Sequence, residues 1–166
     1  EAVHLLFINL LTDSLPAIAI GMEKPEKDLL SQKPRDPKTG IMTKDFVALM
    51  FGQGALIAAV TLVAFYLGYQ VNAATASTMA FATLTLARLF HGFNCRSRHS
   101  IFKLGFTSNL YSVAAFFVGV FLLSFVLFVP FMHPLFSVEA LTGAQIGFIG
   151  LLAVIPTIII QLIKVI

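Results

Sequence analysis

Five apolar stretches constrain this chain more than any other feature. A helix that crosses the hydrocarbon core of a membrane needs about 20 mostly apolar residues. Hydrophobic residues make up 58% of the chain and charged residues only 11%, so a soluble globular domain is nearly excluded. We predict an all-α membrane protein, a single transmembrane domain with five transmembrane helices over residues 2–21, 46–69, 77–94, 110–129 and 144–163.

The basic residues predict the orientation of these helices. Ten of the eleven Lys and Arg residues fall in the first loop (22–45), in the third loop or at the end of the chain. The second and fourth loops, near 70–76 and 130–143, contain no Lys or Arg. Because basic loops stay in the cytoplasm, we expect the first loop, the third loop and the C-terminus on that side.

A polar motif in the first stretch is the strongest candidate for a binding site. Asp13 is a carboxylate within an apolar helix. Because a charge inside the hydrocarbon region is energetically costly, Asp13 is a candidate functional residue. In a helix, Asn9, Thr12 and Asp13 share one face, and their oxygens are ligands that suit calcium rather than zinc or copper. Pro16 cannot donate a hydrogen bond to the Thr12 carbonyl, so we expect the helix to loosen around Thr12 and Asp13.

Arg88 is the second unusual charge, near the middle of the third stretch. An isolated guanidinium there is as costly as the Asp13 carboxylate, and the two would lower each other's cost by facing one another. The alternative is that Arg88 extends toward the cytoplasmic interface. We favour a contact between the two side chains, direct or through water.

The remaining polar residues indicate no chemistry of their own. The four histidines lack the spacing of metal ligands, and the single cysteine, Cys95, excludes an internal disulfide. We find no glycine-rich phosphate loop and no nucleophile motif, so we expect no catalytic residue in this chain. The net charge of +3 describes the cytoplasmic loops, and no nucleic-acid partner is expected.

The segment from Asn9 to Gly21 resembles the sixth transmembrane helix of type II P-type ATPases, nearest to the calcium pumps. Its core is Asn-x-x-Thr-Asp-x-x-Pro-Ala. The resemblance continues through Pro34-Arg35-Asp36-Pro37-Lys38 and Thr78-Met79-Ala80 and covers essentially the whole chain. It implies helices six to ten, the C-terminal half of a ten-helix P-type ATPase membrane domain.

The resemblance also implies a function, ATP-driven export of Ca²⁺. Asn9, Thr12 and Asp13 would help coordinate the transported Ca²⁺, while ATP and Mg²⁺ would act in cytoplasmic domains that the chain lacks. The coupling loop, with Pro34, Arg35, Pro37 and Lys38, would contact the phosphorylation domain. The implied partners are a lipid bilayer, here a bacterial plasma membrane, and the missing N-terminal part with helices one to five and the cytoplasmic domains.

Two departures from the two-calcium pumps affect this expectation. Ser14 stands where those pumps carry Gly, so the unwinding of this helix should depend more on Pro16. Arg88 stands where they place an ion-binding Glu, and a fixed cation repels a second divalent ion, so we predict one Ca²⁺ per cycle. The alternatives are a pump for Mn²⁺ or Na⁺, because oxygen ligands separate these ions poorly, and a freestanding five-helix membrane protein without ATPase activity.

Overall fold

The computed structural model describes residues 1–25, 40, 42–97 and 99–165. All the regular elements in these residues are helical, and five of the segments are long and apolar enough to cross a membrane. The elements are α1 (Ala2–Phe7), a π-helical turn (Ile8–Thr12), α2 (Ser14–Gly21), α3 (Lys44–Tyr69), α4 (Ala73–Asn94), α5 (Ile101–Leu104), a 3₁₀ turn (Phe106–Ser108), α6 (Leu110–Phe128), α7 (Met132–Phe136) and α8 (Gly143–Val165).

Capping residues determine where two of the long helices begin. The Thr43 hydroxyl accepts the Phe46 amide hydrogen at 3.3 Å, and the Asn72 carbonyl oxygen accepts that of Thr75 at 2.6 Å. Both caps satisfy backbone donors that the first turn leaves free. Helices α3 and α4 therefore start at residues 44 and 73, two and four residues before the starts predicted from apolar content, because polar residues after a cap are still helical.

Helix α4 is the centre of the fold, in contact with α2, α3, α6 and α8. Its buried positions are mostly small or hydroxyl-bearing: Thr75, Ala76, Thr78, Ala82, Thr83, Thr85 and Ala87. Small residues let helix backbones approach closely inside a membrane. The clearest example is Gly68 of α3, where an added Cβ would lie 2.6 Å from the Ala76 Cα.

Polar contacts join the helices at the end that holds residues 70–72 and 129–142. Glu139 accepts hydrogen bonds from Asn72 Nδ2 at 3.1 Å and from Thr75 Oγ1 at 3.0 Å, so its carboxylate lies against the N-terminus of α4. A negative charge is favoured at this end of a helix. These contacts fix the α3–α4 connection against the one between α6 and α8.

The connections contain more helix than the sequence indicates. The predicted fourth loop includes α7, and the third includes α5 and the 3₁₀ turn. Of the first loop, the coupling residues Pro34, Arg35, Pro37 and Lys38 lie outside the described residues.

Candidate ion site

The first membrane segment is interrupted by the π-helical turn Ile8–Thr12. The Asp13 amide donates to the Ile8 carbonyl at 2.9 Å, five residues back instead of the four of an α-helix. Pro16 has no amide hydrogen for the Thr12 carbonyl, and the next amide, of Ala17, donates to Asp13 O at 3.1 Å. Single π-helical turns are frequent at functional sites because they widen the helix locally.

The three predicted ligands are placed differently around this turn. Thr12 is buried and its hydroxyl donates to the Ile8 carbonyl at 2.9 Å, whereas Asp13 is half-buried. Asn9 is exposed, and its carbonyl accepts a hydrogen bond from the Ser14 hydroxyl at 3.2 Å. Thr12 and Asp13 face one cavity, while Asn9 is not among the residues that line it. The expectation that all three share one face therefore holds in the structure only for Thr12 and Asp13.

Asp13 and Arg88 form an ion pair. Arg88 Nη2 donates to Asp13 Oδ2, and their side chains are 39% and 29% exposed, respectively. The contact links the residue that follows the π-helical turn to the C-terminal half of α4, across 75 residues of sequence. The expected contact between the two charges is thus present, and each lowers the cost of the other in an apolar setting.

The ion pair lies in an open cavity of about 460 Å³ between α2, α3 and α4. Besides Thr12, Asp13 and Arg88, its polar lining includes Gln53, His91 and Cys95. Sequence reasoning did not select Gln53 or His91. Two features of the sequence could have pointed to them: Gln53 is an amide within the apolar run of α3, and His91 follows Arg88 by three residues. Among the described residues no group of three or more His, Cys, Asp and Glu could hold a metal ion.

A network of hydrogen bonds joins the C-terminal end of α4, beyond Arg88, to α8. Gln161 Nε2 donates to Asn94 Oδ1 at 2.6 Å, and Asn94 Nδ2 donates to Thr157 Oγ1 at 3.1 Å. The Lys164 ammonium donates to the carbonyls of Asn94 and Ser97 at 2.5 and 2.6 Å. The bond from Lys164 satisfies the last carbonyl of α4, that of Asn94, and the network holds the helix that carries Arg88 in place.

Five apolar helices and a charged pair within them define an integral membrane protein. The profile of the family described as "Cation transporting ATPase, C-terminus" matches residues 1–166, and the chain belongs to this family, the C-terminal membrane region of type II P-type ATPases.

Proteins similar to this chain are named calcium-transporting ATPases. A calcium-transporting ATPase of Bacillus subtilis is 38% identical over 93% of this chain, and one of Listeria monocytogenes is 39% identical over 99%. The human calcium-transporting ATPase type 2C member 1 is 28% identical over 99% of the chain. The aligned part is 18 to 19% of the length of these three proteins, so the chain spans about a fifth of them.

Proposed function

We propose that this chain is the membrane part, helices six to ten, of an ATP-driven pump that exports Ca²⁺ from the cytoplasm. The observation that carries the proposal is Asp13 at a π-helical turn, beside a cavity that is open to further helices. The names of its relatives, calcium-transporting ATPases, favour Ca²⁺ as the transported ion.

In this function the π-helical turn supplies part of the coordination of Ca²⁺. Asp13 provides the charged oxygen and Thr12 a neutral one, the type of ligand that calcium prefers. Asn9, which is exposed and does not line the cavity, would have to turn toward it to provide another neutral oxygen. The Thr12 hydroxyl donates its hydrogen to Ile8, so the lone pairs of its oxygen remain available to accept an ion. The remaining ligands come from the fourth and fifth helices of the pump. ATP and Mg²⁺ act in its cytoplasmic domains, and this chain alone does not hydrolyse ATP.

Arg88 limits the pump to one Ca²⁺ per cycle. Its guanidinium contacts Asp13 directly, so a positive charge occupies the side of the site toward α4. A guanidinium carries its charge at every physiological pH and offers no acceptor, so it cannot bind calcium. In the low dielectric of a membrane it repels a second divalent ion strongly.

The coupling loop faces the cytoplasm in this function. Its Pro34, Arg35, Pro37 and Lys38 contact the phosphorylation domain and relay its movements to the membrane. The basic loops and the C-terminus lie on the cytoplasmic side of a bacterial plasma membrane. The other helices of the same pump, together with lipid, cover the exposed apolar surface of the membrane helices.

Phosphorylation by ATP in the full-length protein tests the proposal. We expect a phosphorylated intermediate that forms in response to Ca²⁺, and not to Mn²⁺ or Na⁺ at comparable concentrations. Asp13→Asn should abolish this ion dependence, because it removes the charged ligand. Asp45→Asn, which removes an exposed carboxylate at the start of α3, is the matched control and should leave the response unchanged.

Other outcomes separate the alternatives. Phosphorylation that responds to Mn²⁺ or Na⁺ instead identifies a pump for another cation. Normal calcium dependence in Asp13→Asn removes Asp13 from the site. A gene that encodes no phosphorylation domain upstream of this chain favours a freestanding five-helix membrane protein without ATPase activity.

A further inference from the structure

A second charge pair, more buried than the first, lies outside the cavity at the end of α2. It consists of Glu23, just after α2, and Arg96, just after α4, with Asn109 at the start of α6. We call these three residues the α2 clamp. None of the three lines the cavity that contains Asp13 and Arg88.

Arg96 is at the centre of the clamp. Its side chain is 0% exposed, and its Nε and Nη2 atoms donate to the two carboxylate oxygens of Glu23 at 2.8 and 2.9 Å. It also donates to the Phe106 carbonyl at 3.3 Å and to the Ser108 hydroxyl at 2.6 Å. The guanidinium therefore joins the end of α2 to the connection between α4 and α6 through a two-pronged contact that fixes orientation as well as distance.

Asn109 extends the clamp to α6. Its Nδ2 atom donates to Glu23 Oε2 and to the Ala19 carbonyl, both at 2.8 Å. Its carbonyl oxygen accepts the amide hydrogens of Tyr111 and Ser112 at 3.0 and 3.2 Å. One buried amide thus caps the start of α6 and satisfies a carbonyl in the last turn of α2.

The opposite end of the same membrane segment is also fixed. His4 is buried, its Nε2 atom is 2.6 Å from the Phe136 carbonyl, and its ring stacks on Phe81. Between His4 and Glu23 the regular helix is interrupted at the π-helical turn. Any movement of this segment with its ends held is therefore concentrated at the turn and at Asp13, where the α-helical hydrogen bonding is broken.

On the basis of the proposed pump function, we propose that Arg96 is a positioning residue for ion binding. Through Glu23 it holds the C-terminal end of α2 against α4 and α6. Ion binding and release then move the π-helical turn and leave the C-terminal end of α2 in place. A buried ion pair adds little net stability relative to apolar residues of similar volume, although removing one partner alone is destabilising. Its contribution here is to the position of the ligands.

Ion-dependent phosphorylation of the full-length pump tests this role with two conservative variants. Arg96→Lys keeps the charge and loses the two-pronged contact, and Glu23→Gln keeps the shape and loses the charge. We expect both to raise the Ca²⁺ concentration for half-maximal phosphorylation by about threefold or more. The maximal phosphorylation level should change by less than about twofold. Lys103→Ala, an exposed cation in the same connection, is the matched control and should resemble the wild type.

A purely structural role gives a different pattern. It lowers the amount of active pump and the maximal level while the half-maximal Ca²⁺ concentration stays at the wild-type value, and that result overturns the positioning role. An unchanged half-maximal concentration in both variants, with a wild type that responds to Ca²⁺, overturns it while leaving the pump function intact. A wild type without ion-dependent phosphorylation overturns the pump function and the positioning role together.

A distance measurement tests the fixed end directly. Spin labels at Lys24→Cys and Lys103→Cys, two exposed positions on either side of the clamp, report this distance by pulsed electron paramagnetic resonance. The exposed Cys95 and any other cysteine are first replaced by serine. We expect the same distance with and without Ca²⁺, and a Ca²⁺-dependent distance once Glu23→Gln is added. A distance that changes with Ca²⁺ in the unmodified clamp overturns the proposal.

Discussion

At the scale of single residues, Asp13 and Arg88 show how one charge controls another. Without a bound ion, a carboxylate at a helix break in an apolar environment is costly, and the Arg88 guanidinium offsets part of that cost. In the proposed pump, the same guanidinium would remain charged with Ca²⁺ bound and would repel a second ion. The pair therefore sets both the resting state and the capacity of the proposed site.

The first prediction is the transport stoichiometry. In vesicles that contain the full-length pump, we expect one Ca²⁺ taken up per ATP hydrolysed, because the Arg88 guanidinium beside Asp13 would repel a second divalent ion. The measurement compares initial ⁴⁵Ca²⁺ uptake with phosphate release, and a calcium ionophore provides the control for leak. A ratio of two with Arg88 present contradicts the prediction.

At the scale of elements, the break in the first membrane segment was predictable only in part. Pro16 and the polar residues before it indicate a loosened helix. They do not indicate the hydrogen bond from Asp13 to Ile8 that makes the turn π-helical, because that choice depends on packing against α4. The same packing determines which oxygen-bearing side chains face the cavity and leaves Asn9 exposed.

The second prediction concerns this turn. Pro16→Ala restores an amide hydrogen opposite the Thr12 carbonyl, which favours an ordinary α-helical register and displaces Asp13. We expect the Ca²⁺ concentration for half-maximal phosphorylation of the full-length pump to rise by about threefold or more. Pro156→Ala, a buried proline within α8 and away from the cavity, is the matched control. An equal effect of both substitutions contradicts a specific role for Pro16.

The third prediction concerns the packing of α3 on α4. An added Cβ at Gly68 meets backbone atoms of Ala76 at 2.6 and 2.9 Å, so the two helices have to separate. We expect Gly68→Ala to reduce the free energy of unfolding in detergent micelles by about 1–3 kcal/mol. Gly147→Ala, in α8 with nothing within 4 Å of the added Cβ, should be neutral or slightly stabilising. Equal stability of the two variants contradicts this account.

At the scale of the whole molecule, the five helices and the contact between Asp13 and Arg88 were predictable, and the other contacts that join the helices were not. The length of an apolar stretch is a local property, and it gave five segments whose ends agree with the structure to within about four residues. The contact between Glu23 and Arg96 joins residues 73 positions apart, and neither residue interrupts an apolar stretch. Such a pair gives no local signal, so only the folded arrangement of α2, α4 and α6 reveals it.

The fourth prediction is the pH dependence of stability that this pair confers. The hydrogen bonds from Arg96 hold the pKa of Glu23 below its usual range, with a smaller contribution from Asn109. A carboxylate whose pKa is lower in the folded state stabilises the fold above its unfolded pKa of about 4.3. That stabilisation is lost as the pH falls through the lower, folded value.

Glu23→Gln isolates this contribution. At pH 7 the variant should unfold more easily than the wild type by about 1–2 kcal/mol, since it keeps the packing and loses the charge-assisted hydrogen bonds. As the pH falls below about 4, the wild type should lose this advantage and the two curves should converge. Titration of the chain with a denaturing detergent, followed by circular dichroism at each pH, measures the difference, with Lys103→Ala as the control. A difference that stays constant from pH 7 to the acid limit does not arise from the ionised carboxylate and contradicts a contribution of the ion pair with Arg96 to stability.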